Sequence, residues 1–279
     1  MPVPAQNQQY ENFIIRYKQN THGGFDYESD ENFQIVNDLF GILYVPMQKV
    51  PELELSSYSY SSIPRCYTYM DTGALSTSGV TGLHNHPYLK LQGKGTLVAV
   101  IDSGIDYLHP AFHNGVQSKI FSIWDQTLEG GADGRIPFGR EFGRQQIEQA
   151  LASENPWEIV PSSDTNGHGT RSAATAAGYR IEKDNFCGAA PEAEIVIVKL
   201  KQAKNYLRDF YLLPRDIDIF QEDDIMLAIS YVLFIAQEQQ MPLSICIGLG
   251  TSMGAHQGEG PLNEYCSIYT ERSICSCRK

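Results

Sequence analysis

The chain has 279 residues, of which 42% are hydrophobic and 19% charged. That supports one large α/β domain with a small appendage and argues against wholesale disorder. A net charge of −12 repels phosphate backbones and sets nucleic acid aside as a partner.

The first eleven residues are polar. They lack the basic and apolar regions of a secretory signal, and no apolar run in the chain approaches the roughly 18 residues a bilayer span needs. A cytoplasmic protein without membrane contact is the expectation. "NFIIRY" (12–17) and "LFGILYV" (39–45) have the β-branched and aromatic content of strands. Between them, "DENFQIVNDLF" (30–40) places Phe33, Val36, Leu39 and Phe40 at helical spacing. Residues 1–55 therefore read as a small α/β unit. Residues 56–90, rich in Ser, Gly and Tyr, read as a linker with one short helix. A larger unit follows over 91–265.

In that unit "TLVAVI" (96–101), "EIVIVKL" (194–200) and "LSICIGL" (243–249) are continuous apolar runs, as expected of strands covered on both faces. "HGTRSAATAAG" (168–178) and "DDIMLAISYVLFIAQEQQ" (223–240) read as the helices between them. Asp223 and Asp224 favour the second helix's start through its dipole. Strands alternating with helices predict a parallel sheet, whose functional groups gather at the carboxyl ends of the strands. Cys66, Cys187 and Cys246 are isolated and read as buried free thiols. The cluster Cys266, Cys275 and Cys277 is too sparse to define a metal site. No metal or cofactor is expected.

Two residues at strand and helix ends stand out. Asp102 ends the first apolar run in "IDSGID". Asp-Ser-Gly is ordinary turn chemistry, but such an Asp can also accept a hydrogen bond from an imidazole. His168 lies between Gly167 and Gly169 at a helix start, where bare neighbours allow close backbone approach. The other six histidines fall in loop-like sequence and read as solvated or structural.

On these residues the chain resembles the subtilisin-like serine proteases. "VIDSGID" carries the family's Asp motif and "NGHGT" its His motif. "GAAPEAEIVIVKL" (188–200) resembles the strand that follows the His helix. "SSIPRCYTYMD" (61–71), "LRDFYLLP" (207–214) and "LSICIGLGTSMGAHQGEGPLNEY" (243–265) narrow the likeness to the clostridial Csp type, the germination proteases of spores. The resemblance implies a subtilisin-like parallel sheet with flanking helices, here incomplete, preceded by a small α/β prodomain-like unit that assists folding and covers the cleft. It implies a serine endopeptidase acting on peptides or proteins, with Asp102 and His168 catalytic. It assigns Gly248, Leu249 and Gly250 to the substrate groove, and it adds spore association to the cytoplasmic default.

"GTSMG" (250–254) imitates the family's nucleophile motif, but its position disagrees. Ser252 follows the groove strand directly, in a Gly-rich stretch that reads as a loop, where the family's serine opens a helix much later. Ser252 is therefore assigned to the groove loop. After Tyr265 the residues 266–279 read as an aberrant tail, and the expectation is a subtilase truncated before its serine and its oxyanion Asn. A catalytically inactive pseudoprotease that binds a peptide or protein partner is the alternative.

Overall fold

The apolar runs lie side by side in the middle of a six-stranded sheet. The computed structural model describes residues 3–16, 32–50, 58–69, 91–131, 134–254, 259–270 and 274–277. In chain order its strands and α-helices are β1 (Tyr10–Arg16), β2 (Phe33–Ile35), β3 (Phe40–Pro46), β4 (Cys66–Tyr69), β5 (Leu97–Asp102), β6 (His113–Asn114), β7 (Gln117–Ser118), β8 (Ile120–Asp125), β9 (Arg140–Gly143), α1 (Arg144–Leu151), α2 (Pro156–Ile159), α3 (His168–Ala177), β10 (Glu194–Lys199), α4 (Asn205–Phe210), β11 (Phe220–Gln221), α5 (Glu222–Gln239), β12 (Leu243–Ile247), β13 (Leu249–Gly250), α6 (Pro261–Thr270) and β14 (Ile274–Cys277).

The large sheet has the order β14-β12-β5-β10-β8-β9. Its strands are parallel apart from β9, which runs antiparallel to β8. Alternation along β5 divides the core, because successive side chains leave opposite faces of a strand. Leu97, Ala99 and Ile101 join Ile225, Ile229 and Val232 of α5. Val98 and Val100 join Ala173 and Ala177 of α3. Burial on both faces is why these strands read as unbroken apolar runs. The helix α5 ends where Gln240 turns left-handed and its N–H reaches back to Ala236 and Gln237 carbonyls.

β1, β3 and β2 form a separate antiparallel sheet. It packs Ile14, Phe40 and Ile42 into the same core as α5. The helix expected over 30–40 is replaced, in its described residues, by β2 and a turn into β3. The Asn37 carboxamide oxygen accepts the N–H groups of Leu39 and Phe40 at 2.9 and 2.8 Å. The Val36 and Asn37 N–H groups bond to the Phe40 carbonyl. Local Asn turn chemistry overrides the helical spacing there.

Two other expectations change. Within 56–90, the short helix is a 3-10 turn at Tyr60–Ser62 and a strand, β4, follows it; residues 70–90 lie outside the described residues. In the expected tail 266–279, α6 runs on to Thr270, and β14 pairs in parallel with β12. The helix persists because Leu262 and Tyr265 are buried against the core, with Cys266 and Tyr269 packed beside them.

Candidate active site

Asp102 is the last residue of β5 and is 1% exposed. His168 is the first residue of α3 and is 7% exposed. The loops at the carboxyl edge of the sheet bring them together, and His168 Nδ1 lies 2.7 Å from Asp102 Oδ1. The carboxylate can only accept, so Nδ1 carries the proton in this pair. The Ser103 N–H donates to the same oxygen at 2.7 Å.

A second carboxylate fixes the start of α3. Asp164 accepts the Thr170 N–H and hydroxyl at 2.8 and 2.6 Å, the Ser103 hydroxyl at 2.8 Å and the Gly167 N–H at 3.1 Å. Burial raises its pKa, but these bonds outweigh burial and hold the carboxyl below its ordinary range. The Ser103 hydroxyl also accepts the Gly169 N–H at 2.9 Å. Ser103 thus ties the turn after β5 to the first turn of α3. The His168 N–H itself donates to the Asn166 side chain at 2.8 Å.

The chain leaves the large sheet after Ile247. Gly248 turns it, and β13 pairs antiparallel with β4. A Cβ at Gly248 would stand 2.5 Å from Asp102 Oδ2 and 2.9 Å from His168 Cε1. Only glycine lets this strand pass so close to the pair. Leu249 is buried, while Gly250 is half-buried. Ser252 comes two residues later in an exposed bend. No hydrogen bond joins it to His168 among the described residues, and α6 starts only at Pro261.

β4 was not legible as part of the site. It lies between β11 and β13, with Tyr67 opposite Phe220, Cys66 opposite Gln221, Tyr69 opposite Leu249 and Thr68 opposite Gly250. The Tyr69 ring covers the His168 ring, with centroids 4.4 Å apart and planes 30° apart. Its hydroxyl donates to Asp218 at 3.2 Å and accepts from the Asn166 carboxamide at 2.5 Å. Burial holds the phenol above its ordinary pKa.

Of the remaining histidines, His109 and His113 bond to nearby backbone. His22, His84, His86 and His256 lie outside the described residues. Cys66 is a buried thiol, pushed up to about 12 chiefly by burial, and Cys187, Cys246 and Cys266 are half-buried and outside any disulfide among the described residues. Among the described residues no group of three or more His, Cys, Asp or Glu could hold a metal ion, and no helix is long and apolar enough to cross a membrane.

A parallel sheet with a buried carboxylate–imidazole pair at its carboxyl edge, flanked by a short antiparallel sheet, defines the class to which comparison can be made. Residues 93–211 match the sequence profile of the Subtilase family. The solved CspB protease of Clostridium perfringens superposes with a TM-score of 0.56 at 29% identity, covering 70% of this chain and 38% of that one. Subtilisin-like protease SBT1.9 of Arabidopsis thaliana is 28% identical over 142 residues, 46% of this chain and 18% of the relative. Subtilisin-like protease SBT1.4 of the same plant is 30% identical over 125 residues, 39% of this chain and 16% of the relative. Residues 93–211 are similar to the subtilases, and the likeness to the clostridial Csp type is borne out. The chain spans less than a fifth of these curated relatives.

Proposed function

We propose that this chain supplies the general base and the substrate groove of a serine-type endopeptidase. The observation that carries the reading is the 2.7 Å bond between His168 Nδ1 and Asp102. A serine hydroxyl is a weak nucleophile at neutral pH and needs its proton removed during attack. With Nδ1 protonated and held by Asp102, the Nε2 lone pair is the basic position of the ring. The Asp102 carboxylate also stabilises the imidazolium once the proton has moved. In such a reaction the same proton returns to the leaving amine.

The groove is the gap between β11 and β13, lined by Gly248, Leu249 and Gly250 on one side. An extended peptide entering it would add a strand and be read through backbone hydrogen bonds. β4, from the segment that follows the N-terminal unit, occupies that place from within the chain. Its Tyr69 side chain lies over the base and shields it from a substrate.

Ser252 belongs to the groove loop in this reading and is not the nucleophile. Treatment of the purified chain with a fluorophosphonate probe should leave Ser252 unlabelled, so that wild type and Ser252→Ala behave alike. Labelling abolished by Ser252→Ala would assign the nucleophile to Ser252 and sink this part of the reading. Binding of an extended peptide without any hydrolysis by the whole protein would instead favour a pseudoprotease.

A further inference from the structure

A cavity of about 700 Å³ lies between the N-terminal sheet and the segment leading into α6, away from Asp102 and His168. We propose that it binds a small organic anion, with a carboxylate or phosphate seated on Arg65 and an apolar body beside it.

Arg65 is 6% exposed and lines the cavity. A buried guanidinium is costly unless it is paired and hydrogen-bonded. Among the described residues Arg65 has no ion pair within 4.0 Å, and its Nε has no hydrogen-bond partner. The group is also fixed in place. One side presses on the backbone at Gly254 and Gly260, where an added Cβ would come within 2.6 and 2.5 Å of it. The Tyr60 ring lies 5.9 Å from its central carbon. A planar fork held this way matches the two oxygens of a carboxylate or phosphate.

The nearby carboxylates Glu222 and Glu264 are bound by donors other than the Arg65 guanidinium. Glu222 accepts the Arg65 and Leu262 backbone N–H groups at 3.1 and 3.2 Å. Burial pushes the Glu222 carboxyl up, although Arg65 pulls it back. Glu264 pairs with Arg16 at 3.2 Å on the cavity's outer side, and Glu259 is exposed. Ser61 and Ser62 add hydroxyl donors to the lining. Ile14, Phe40 and Tyr60 give the apolar wall. A volume of this size suits a small molecule with one polar anchor.

Calorimetric titration of the full chain with phenylacetate, inorganic phosphate and the neutral amide phenylacetamide tests the site. The expected result is one anion per chain, with phenylacetamide at least tenfold weaker than phenylacetate. Arg65→Met should weaken either anion at least tenfold, with an unchanged circular dichroism spectrum as its control. Tyr60→Ala, at an exposed wall position, should weaken phenylacetate several-fold and leave phosphate unchanged. Preference for phenylacetate identifies a carboxylate ligand, and preference for phosphate a phosphate ester. The proposal is overturned if neither anion binds, if phenylacetamide binds as tightly as phenylacetate, or if Arg65→Met retains full affinity. Should Arg65→Met fail to fold, the wild-type comparison of acid with amide decides alone.

Discussion

Replacing Gly248 by alanine is expected to destabilise the chain by about 1–3 kcal/mol, the usual cost of forcing a methyl group into a packed site. The new Cβ would meet Asp102 Oδ2 at 2.5 Å, His168 Cε1 at 2.9 Å and Ser172 Oγ at 3.3 Å. Backbone geometry does not forbid the substitution, since Gly248 is not among the positive-φ residues. Space does. β13 must therefore retreat from the Asp102–His168 pair or the imidazole must leave the carboxylate. Thermal unfolding should show a lowered midpoint, and the imidazole resonances of His168 should shift. Unchanged stability together with an unchanged His168 spectrum would mean that β13 does not pass as close to the pair as described.

The second large effect is expected at the junction between the N-terminal sheet and the subtilase segment. Lys204 is 1% exposed and gives its ammonium to the Pro4 carbonyl at 2.8 Å, the Tyr10 carbonyl at 3.0 Å and the Asn12 side-chain oxygen at 2.6 Å. Asn12 in turn donates to Asp223 at 2.6 Å. Lys201 pairs with Asp224 beside it. Removing one charge from such a buried cluster leaves the others uncompensated, so Lys204→Met should cost about 3–5 kcal/mol.

That cost should depend on pH. Burial pushes the Glu11 carboxyl up to about 6 and the Asp224 carboxyl up to about 7, with lysine charges pulling both back. Burial, with Lys201 beside it, lowers Lys204 to about 7. A carboxyl with a raised folded pKa stabilises the fold below its unfolded value of about 4, and that contribution is lost as pH rises through the folded value. Without the Lys204 ammonium the two carboxyls rise further. The gap between wild type and Lys204→Met should therefore be wide near pH 7 and narrower at pH 5. Denaturant unfolding at the two pH values measures it. An equal gap at both would remove the carboxylates from the account.

Much of the fold was legible because the signals are local. Runs buried on both faces, such as 97–102 and 194–199, need no knowledge of their partners to read as central strands. Asp102 and His168 could be found because each ends or opens an element in a short, glycine-marked motif. What escaped depends on distant pairing. β4 reads as linker because "CYTY" is polar and aromatic, and only β11 and β13, about 150 and 180 residues further on, make it a strand. Tyr69 gained its place over His168 through that same pairing. Asp164 gave no motif, since its four donors converge only once α3 and the turn after β5 have met. At 30–40 the spacing of four apolar residues suggested a helix, and the Asn37 side chain decided for a turn. At the start of the tail, Cys266 and Tyr269 continue α6 because the core has an apolar face to cover.

Everything proposed for the site depends on one proton on one nitrogen. The direct measurement is the nitrogen-15 and proton NMR spectrum of the imidazole of His168, assigned by its loss in His168→Ala. The account predicts a far-downfield Nδ1 proton in the wild-type chain that disappears in Asp102→Asn, where the carboxamide no longer enforces that tautomer. A wild-type His168 protonated only at Nε2, or a spectrum unaltered by Asp102→Asn, would contradict it.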